Sequence, residues 1–193
     1  MINSILKRFN MRISWINPTG FHKYALQGKG LVGAEVGVYQ GDNAKNLFKT
    51  GKVAKLYLID NYNFNNDYEV YGKEKLKMAK TKAGRVLNIY NVKFIYTDSI
   101  EAIKHIPEKL DFVYIDANHR YEFVKKEIEA YWKIIKEGGI LGGHDVTNVG
   151  LTESPNAIGK GANPCGVLKA FVEFANKHNL YINVHGNDWW VVK

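Results

Sequence analysis

The chain is poor in cysteine and has neither a long apolar run nor an internal repeat. Its 193 residues include one cysteine, Cys165, which excludes an internal disulfide and indicates a reducing compartment. Even the longest apolar runs are short, such as residues 56–59, which excludes a membrane-spanning helix. The basic N-terminus has no apolar core of the secretory type. We therefore expect a cytoplasmic protein without a membrane span.

The composition indicates one compact domain. Hydrophobic residues make up 46% of the chain, aromatic residues 13% and charged residues 24%. This is too apolar for a disordered protein, and the chain is long enough to bury one core but too short for two. We predict a single domain over residues 31–193, preceded by an N-terminal cap segment over residues 1–30 that we expect to be helical.

The charge balance is basic. Lysine and arginine total 27 against 19 acidic residues, a formal net charge of +8. Such a balance favours an anionic partner such as nucleic acid. The lysines are spread over helical stretches with little aromatic interleaving, which is more typical of a solvated helix face. Nucleic acid therefore stays open as a partner without being favoured.

Short apolar runs alternate with helical patterns along the chain. Strands are predicted at 31–37, 55–60, 91–98, 111–116, 138–145, 180–186 and 188–193, and helices at 43–51, 72–87, 99–106, 121–138 and 166–178. This alternation predicts an α/β, Rossmann-like, doubly wound and mostly parallel seven-stranded sheet with helices on both faces. The last two strands have no helix between them, so they form an antiparallel edge hairpin. The loop at 146–164 is long enough for a lid or binding loop.

Each of the first five predicted strands ends at or beside an acidic residue. These residues are Glu35, Asp60, Asp98, Asp116 and Asp145. Ligands of doubly wound sheets bind outside the carboxyl ends of the strands. One or two of these acids could simply cap the following helix. Five acidic residues at one rim of a basic chain predict that this rim binds a cationic ligand, a metal ion or sugar hydroxyls.

The glycine pattern after the first strand argues against a dinucleotide. Tyr39 occupies the middle glycine position of the dinucleotide fingerprint, and Asp42 stands at the helix start, where it would repel phosphate. Gly37 and Gly41 still allow a ligand to approach the backbone closely. Asp60 is placed to accept hydrogen bonds from ribose hydroxyls. A nucleoside without a pyrophosphate fits this loop better than NAD does.

Six segments together resemble a known family. They are AEVGVYQG (34–41), LYLIDNY (56–62), YTDS (96–99), DFVYIDANHRYEFVKKEIEAYW (111–132), GGILGGHD (138–145) and DWWVVK (188–193). They resemble class I S-adenosylmethionine-dependent methyltransferases, and among these the small domain family of macrolide-sugar O-methyltransferases and cephalosporin-hydroxylase-like proteins. The resemblance covers residues 31–193. It implies methyl transfer from S-adenosylmethionine to an oxygen of a small-molecule acceptor such as a sugar.

The same resemblance implies which residues bind the cofactor. The residues that match cofactor-binding positions are Glu35, Gly37, Val38, Tyr39, Gly41, Asp60, Asn61, Asp98, Ser99 and Asp116. In the family the first loop holds the methionine part, the acid after the second strand holds the ribose, and the YTDS segment lies on the adenine side.

The resemblance also implies a catalytic base and a divalent cation. His119 matches the general base and Asp116 opens the same D-x-x-H segment, so these two residues are the catalytic candidates. A neutral imidazole with a pKa near 6.5 suits proton removal from a hydroxyl. Asp116, His144 and Asp145 match the magnesium ligands, except that His144 replaces a Glu found in metal-dependent relatives. Histidine is a softer ligand than magnesium prefers.

Two other functions remain open from the sequence. An RNA methyltransferase would use the basic surface, and a non-catalytic binding module would keep the fold while its acids cap helices. The segment Asp116-Ala117-Asn118-His119 lacks the Pro-Pro-aromatic pattern of adenine amino-methyltransferases. The apolar edge strand and the N-terminal segment offer surfaces for a homodimer. Acceptor recognition is expected from residues 1–30, 62–71 and 146–164.

Overall fold

The structure is a computed structural model that describes residues 11–14, 20–63, 72–147 and 166–193, with residues 11–14 described by their backbone. Most of the predicted binding loop at 146–164, the segment 64–71 and Cys165 lie outside the described residues. The methyl-acceptor segments named from the sequence are therefore described only in part, whereas the strand ends that carry the predicted site are all described.

One sheet organises the described residues. Its strands are β1 (Met11–Ser14), β2 (Leu31–Val36), β3 (Val53–Ile59), β4 (Val92–Ile95), β5 (Leu110–Ile115), β6 (Ile135–Gly143), β7 (Ile182–His185) and β8 (Asp188–Val192). They lie in the order β1-β7-β8-β6-β5-β2-β3-β4. β8 is antiparallel to both neighbours, and the other five pairings are parallel. The predicted mostly parallel sheet with an antiparallel hairpin is confirmed.

The helices flank this sheet. They are α1 (Asp42–Lys49), α2 (Lys73–Leu87), α3 (Tyr121–Trp132) and α4 (Val167–Lys177), with a π-helical turn at Phe21–Ala25 and a 3-10 turn at Glu101–His105. Prediction placed the end of α3 at residue 138, but the helix ends at Trp132 because residues 135–143 form β6. None of the helices in the described ranges is long and apolar enough to cross a membrane.

The N-terminal segment differs most from expectation. The seven predicted strands are all present, and β1 adds an eighth by pairing in parallel with β7. The hairpin is therefore not the outermost part of the sheet. Within the described part of residues 1–30, a helical cap is represented only by the turn at Phe21–Ala25. The sequence Met-Arg-Ile-Ser is too short and too polar to stand out as a strand.

Successive residues of each strand pack on opposite faces of the sheet, as the pleat requires. Leu56 and Leu58 of β3 pack with α1, α2 and the turn at Phe21–Ala25. Tyr57 and Ile59 pack on the other face with α3 and α4. Because both faces are covered, the exposed carboxyl ends of β2, β3, β5 and β6 are left as the rim where a ligand can bind.

Candidate active site

Gly37 brings the ends of β2 and β5 into contact. Its φ of +89° is in the left-handed region, and a Cβ built on it would lie 2.1 Å from the Asp116 carbonyl oxygen. The Asp116 N–H donates to the Val36 carbonyl at 2.7 Å, which fixes the two chain segments side by side. Only glycine fits here, because a side chain would be both strained and in collision with the neighbouring backbone.

Asp60 holds the loop that follows β2. Its Oδ2 accepts the backbone N–H groups of Val38 and Tyr39 at 3.0 and 2.8 Å. Its Oδ1 accepts the Tyr62 N–H at 2.8 Å. A carboxylate can accept about four hydrogen bonds, so Asp60 organises the loop and still has capacity for a ligand hydroxyl. The neighbouring Asn61 uses its side-chain oxygen to accept the Asn63 N–H at 2.9 Å.

Glu35 is a buried acid at the end of β2. It is 1% exposed, and its Oε1 accepts a hydrogen bond from Asn43 Nδ2 at 3.0 Å. Among the described residues, its Oε2 has no partner. Burial raises the pKa of Glu35 to about 8, and the negative charges of Asp116 and Asp60 act in the same direction. A buried carboxyl oxygen without a partner indicates a polar group missing from the site.

A second buried acid, Glu127, supports the predicted adenine side. Ser99 hydrogen-bonds the Glu127 carboxyl group, and its backbone carbonyl accepts the Tyr131 hydroxyl at 2.7 Å. Asp98 is exposed, and its Oδ1 accepts the Ile100 N–H at 2.9 Å. Glu127 was not predicted as a site residue from the sequence. Its position beside Ile128 on the apolar stripe of α3 was nevertheless a signal for its burial.

Replacing Glu127 with glutamine is expected to stabilise the protein at alkaline pH. Burial raises the pKa of Glu127 from 4.5 to about 7. Between these values the folded protein binds more protons than the unfolded chain, so the free energy of unfolding falls as pH rises from 4.5 to 7. This decrease in the free energy of unfolding is complete above about pH 7 and amounts to about 3 kcal/mol. We therefore expect Glu127→Gln to gain on the order of 1–3 kcal/mol at pH 8, and little at pH 4.5.

Chemical denaturation at the two pH values measures this effect. Glu122→Gln is the control, because Glu122 is an exposed acid on the same helix. If Glu127→Gln increased the free energy of unfolding equally at both pH values, the result would contradict the assignment of a raised pKa to this carboxyl group.

His119 lies between two carboxylates. Its Nε2 is 3.1 Å from Asp145 Oδ2 and 3.4 Å from Asp116 Oδ1. Burial tends to lower the pKa of His119, but the Asp116 hydrogen bond and the charges of Asp145 and Asp116 outweigh it, so that the pKa is raised. The value near 6.5 assumed from the sequence is therefore too low, since it took no account of two carboxylates at the same nitrogen.

His144 and Asp145 complete this cluster from the end of β6. His144 Nδ1 is 3.1 Å from Asp145 Oδ1, and its side chain is 39% exposed. The Asp145 hydrogen bond is the main cause that raises the pKa of His144 to about 9. Asp145 adopts a φ of 63° and accepts a hydrogen bond from Asn187 Nδ2 at 2.7 Å. Asp188, which sequence reasoning passed over, lies 4.0 Å from His144 Nε2 and accepts the Tyr114 hydroxyl at 2.9 Å.

These residues could hold a divalent cation. Asp116, His144 and Asp145 each offer a ligand atom, and the three atoms lie within 4.8 Å of one another. The set consists of two carboxylate oxygens and one imidazole nitrogen. A transition-metal cation such as Mn²⁺ accepts an imidazole ligand more readily than Mg²⁺, which prefers oxygen ligands throughout. The donor set therefore fits a divalent cation in general.

The structure brings the predicted residues together in two groups along one rim. The loop group comprises Glu35, Gly37, Val38, Tyr39, Gly41, Asp60 and Asn61, and the cluster group comprises Asp116, His119, His144 and Asp145. The contact between Gly37 and Asp116 joins the two groups. Asp98 and Ser99 follow β4, on the far side of β3 from β2. This arrangement places the loop after β2 beside a cluster of two histidines and two carboxylates.

Comparison with known proteins identifies a family for this chain. Residues 34–146 match a protein family described as a methyltransferase domain. The match covers more than half of the chain and includes the loop after β2 and the His119 cluster. No curated protein sequence is detectably similar.

Solved structures share the fold at low sequence identity. An O-methyltransferase from Bacillus cereus in complex with SAH has a TM-score of 0.59 and 18% identity over 100% of this chain and 89% of its own. An rRNA methylase from Streptococcus thermophilus has a TM-score of 0.59 and 13% identity over 92% of this chain and 96% of its own.

The MycE methyltransferase of mycinamycin biosynthesis, in complex with Mg, SAH and mycinamycin VI, has a TM-score of 0.51 and 17% identity over 90% of this chain and 47% of its own. The fold is thus the one that these methyltransferases share. With the family match, it shows that the chain belongs to the methyltransferase domain family and is a class I S-adenosylmethionine-dependent methyltransferase.

Proposed function

We propose that the protein methylates a hydroxyl oxygen of a small-molecule acceptor, a sugar hydroxyl being the preferred class. The observation that carries this proposal is the placement of His119 between Asp116 and Asp145. A hydroxyl is a poor nucleophile and must lose its proton as it attacks. A histidine oriented by two carboxylates beside the cofactor loop supplies a base at that point.

The loop group suits S-adenosylmethionine. The unpartnered Oε2 of Glu35 can accept a hydrogen bond from the ammonium of the methionine part. The positively charged cofactor also benefits from the acidic rim, where Asp60 and Asp116 lie close enough to Glu35 to raise its pKa. We assign the ribose hydroxyls to Asp60 and the adenine side to Asp98 and Ser99. Asn61, Val38 and Tyr39 complete the loop.

The proposed step is a direct displacement at carbon. When bound, the cofactor supplies a methyl group on a sulfonium sulfur, whose carbon–sulfur bond breaks with the electron pair remaining on sulfur while the acceptor oxygen forms the new bond to carbon. His119 takes the acceptor proton. Its Nε2 faces the two carboxylates, so Nδ1 is the nitrogen that we assign to this transfer. The remaining residues orient the reactants, which by itself can supply a large part of the rate.

We further propose that Asp116, His144 and Asp145 hold a divalent cation that orients the acceptor hydroxyl and favours its deprotonation. The neighbour MycE is in complex with Mg. The imidazole of His144 in the donor set of this chain favours Mn²⁺ over Mg²⁺ here. This preference concerns the residues of this chain and can be tested without turnover.

Mn²⁺ is expected to bind more tightly than Mg²⁺, and His144→Glu is expected to shift the preference toward Mg²⁺. Asp145→Asn should weaken Mn²⁺ binding about 10- to 100-fold, a loss at least as large as that caused by removing a residue that only supports a ligand. The measurements are calorimetric titration and the electron paramagnetic resonance signal of free Mn²⁺. Asp42→Asn is the control, since Asp42 is paired with Lys82 outside the cluster. Equal Mn²⁺ binding by wild type and Asp145→Asn would refute the site.

The first test of the proposed function is binding followed by transfer. The purified protein is titrated with S-adenosylmethionine in a calorimeter, and methyl-labelled cofactor is then offered with a panel of sugars, phenols and RNA. Binding with transfer to a small hydroxyl compound supports the proposal. Transfer to RNA alone, with binding that weakens steeply as salt rises, would establish the second candidate. That candidate rests on the net charge of +8 and the exposed lysines of α2.

Three further parts of the sequence interpretation stay proposals. They are a division at residue 30 between cap segment and enzyme domain, a cytoplasmic location, and a homodimer. Because β1 lies outside the hairpin, the edges that could pair with a second copy are β1 and β4. Light scattering on the purified protein decides whether a dimer exists.

A further inference from the structure

The turn at Phe21–Ala25 is anchored at the rim that carries the candidate site. Phe21 is fully buried, and its ring lies 4.9 Å from the ring of Tyr114. Its backbone N–H donates to Asp188 Oδ2 at 3.1 Å. These contacts tie the turn to β5 and β8, so the position of the next residue, His22, is also set by the sheet.

His22 has one buried ring nitrogen that forms no hydrogen bond with the described residues. Its ring lies 6.3 Å from the ring of Tyr114. Among the described residues, its Nε2 has no hydrogen-bond partner. The other ring nitrogen, Nδ1, is left for the hydrogen bond to the Asn43 side chain. Burial lowers the pKa of His22 despite the opposing charge of Asp188, so the imidazole is neutral at physiological pH.

Asn43 joins His22 to Glu35. Its Nδ2 donates to Glu35 Oε1 at 3.0 Å, and its Oδ1 is therefore the atom that accepts from His22. A neutral imidazole that donates through Nδ1 carries a lone pair on Nε2. Glu35 Oε2 is buried as well, and neither atom has a partner in the described part of the chain. A cationic donor beside Glu35 would favour the ionised carboxylate, in which Oε2 accepts. Two buried polar atoms without a partner, one on either side of the Asn43 amide, indicate a missing polar group. A cation with several N–H groups would satisfy both atoms.

We propose that His22 Nε2 and Glu35 Oε2 together accept hydrogen bonds from the ammonium group of the methionine part of S-adenosylmethionine. An ammonium has three N–H donors, so it can satisfy both atoms and keep one donor for the loop after β2. This inference rests on the proposed cofactor and assigns a residue of the N-terminal segment to its binding. Residues 1–30, which the sequence predicted to help recognise the acceptor, would then also help to bind the cofactor.

A ligand that lacks the amino-acid part separates this role from a structural one. The experiment compares S-adenosylmethionine, S-adenosylhomocysteine and 5′-methylthioadenosine, which keeps the adenosine and the thioether but has no ammonium group. For His22→Ala we expect about 10- to 100-fold weaker binding of the first two ligands, the range for hydrogen bonds to a charged group. Binding of 5′-methylthioadenosine should be unchanged.

Companion variants keep the result interpretable. Asn43→Ala should show the same selective loss, because it releases both side chains from their common partner. His22→Gln places an amide oxygen near the same point and should recover part of the affinity, which also covers the case that His22→Ala folds poorly. His105→Ala is the control, since His105 is exposed in the turn at Glu101–His105.

The remaining outcomes each decide against the proposal in a recognisable way. Equal losses for all three ligands would mean that His22 only supports the fold. Unchanged cofactor affinity with a raised KM for the acceptor would assign His22 to the acceptor instead. If the wild-type protein binds none of the three ligands, it is the proposed function that fails, and the role of His22 fails with it.

Discussion

Alanine in place of His119 is expected to lower kcat by about 10²- to 10⁴-fold, the usual contribution of a positioned general base. The affinity for S-adenosylmethionine should stay within about twofold, because His119 contacts Asp116 and Asp145 and belongs to the cluster group. Removing the imidazole also leaves two carboxylates facing each other without their shared donor. A modest loss of thermal stability should accompany the loss of turnover.

The measurement combines labelled methyl transfer at saturating cofactor with a calorimetric Kd. His105→Ala serves as the matched control for deletion of an imidazole. Loss of cofactor binding with the residual rate per bound cofactor unchanged would remove His119 from the chemistry and make it a cofactor ligand. A rate recovered by added imidazole would strengthen the assignment, since a free base would then fill the cavity left by the variant.

Alanine in place of Gly37 is expected to have the largest effect on the fold. The new Cβ would lie 2.1 Å from the Asp116 carbonyl oxygen and 2.8 Å from the Ala117 Cα. Both atoms belong to the backbone, so the ends of β2 and β5 must separate. The φ of +89° adds about 1–2 kcal/mol for any residue with a Cβ. We expect a total loss of about 4 kcal/mol or more in the free energy of unfolding, which is exceptionally large for a single substitution.

Gly51→Ala distinguishes the collision from the backbone strain. Gly51 also has a positive φ, +69°, but a Cβ there meets nothing within 4 Å. Its substitution should cost only the strain of the left-handed backbone, about 1–2 kcal/mol. Denaturant unfolding of both variants gives the difference directly, and a Gly37 variant that does not fold while the Gly51 variant does is the extreme form of the same result. Similar losses for the two would mean that the contact with Asp116 relaxes without cost.

The sheet could be predicted because its central strands are buried on both faces. Runs such as residues 56–59 and 112–115 stay apolar throughout, as a covered parallel strand requires. β1 was missed because it adds pairing at an edge without an apolar run of its own. The end of α3 was placed too late because Ile134 and Ile135 continue its apolar stripe, whereas pairing with Leu110 commits Ile135 to β6.

The site was predictable where chain direction alone brings residues together. Acids at the ends of parallel strands must meet at one rim, which located Glu35, Asp60, Asp116 and Asp145. His22 could not be identified from the sequence for a different reason, and Glu127 was overlooked although its position on the apolar stripe of α3 indicated burial. Their importance comes from burial without a full set of partners, and burial depends on what packs against them from distant parts of the chain. The pKa of His119 was set too low because the sequence did not show that Asp116 and Asp145 both lie at its Nε2.

The pairing of β1 with β7 bears on how the protein folds. It joins Met11 to Ile182, so it encloses nearly the whole chain in one loop. The entropy cost of closing a loop rises with its length, and contacts between residues far apart in sequence slow folding. Once the intervening sheet has formed, the two segments are already held near each other and the effective loop is short. Docking of β1 is therefore favoured as a late event that completes the sheet and does not start it.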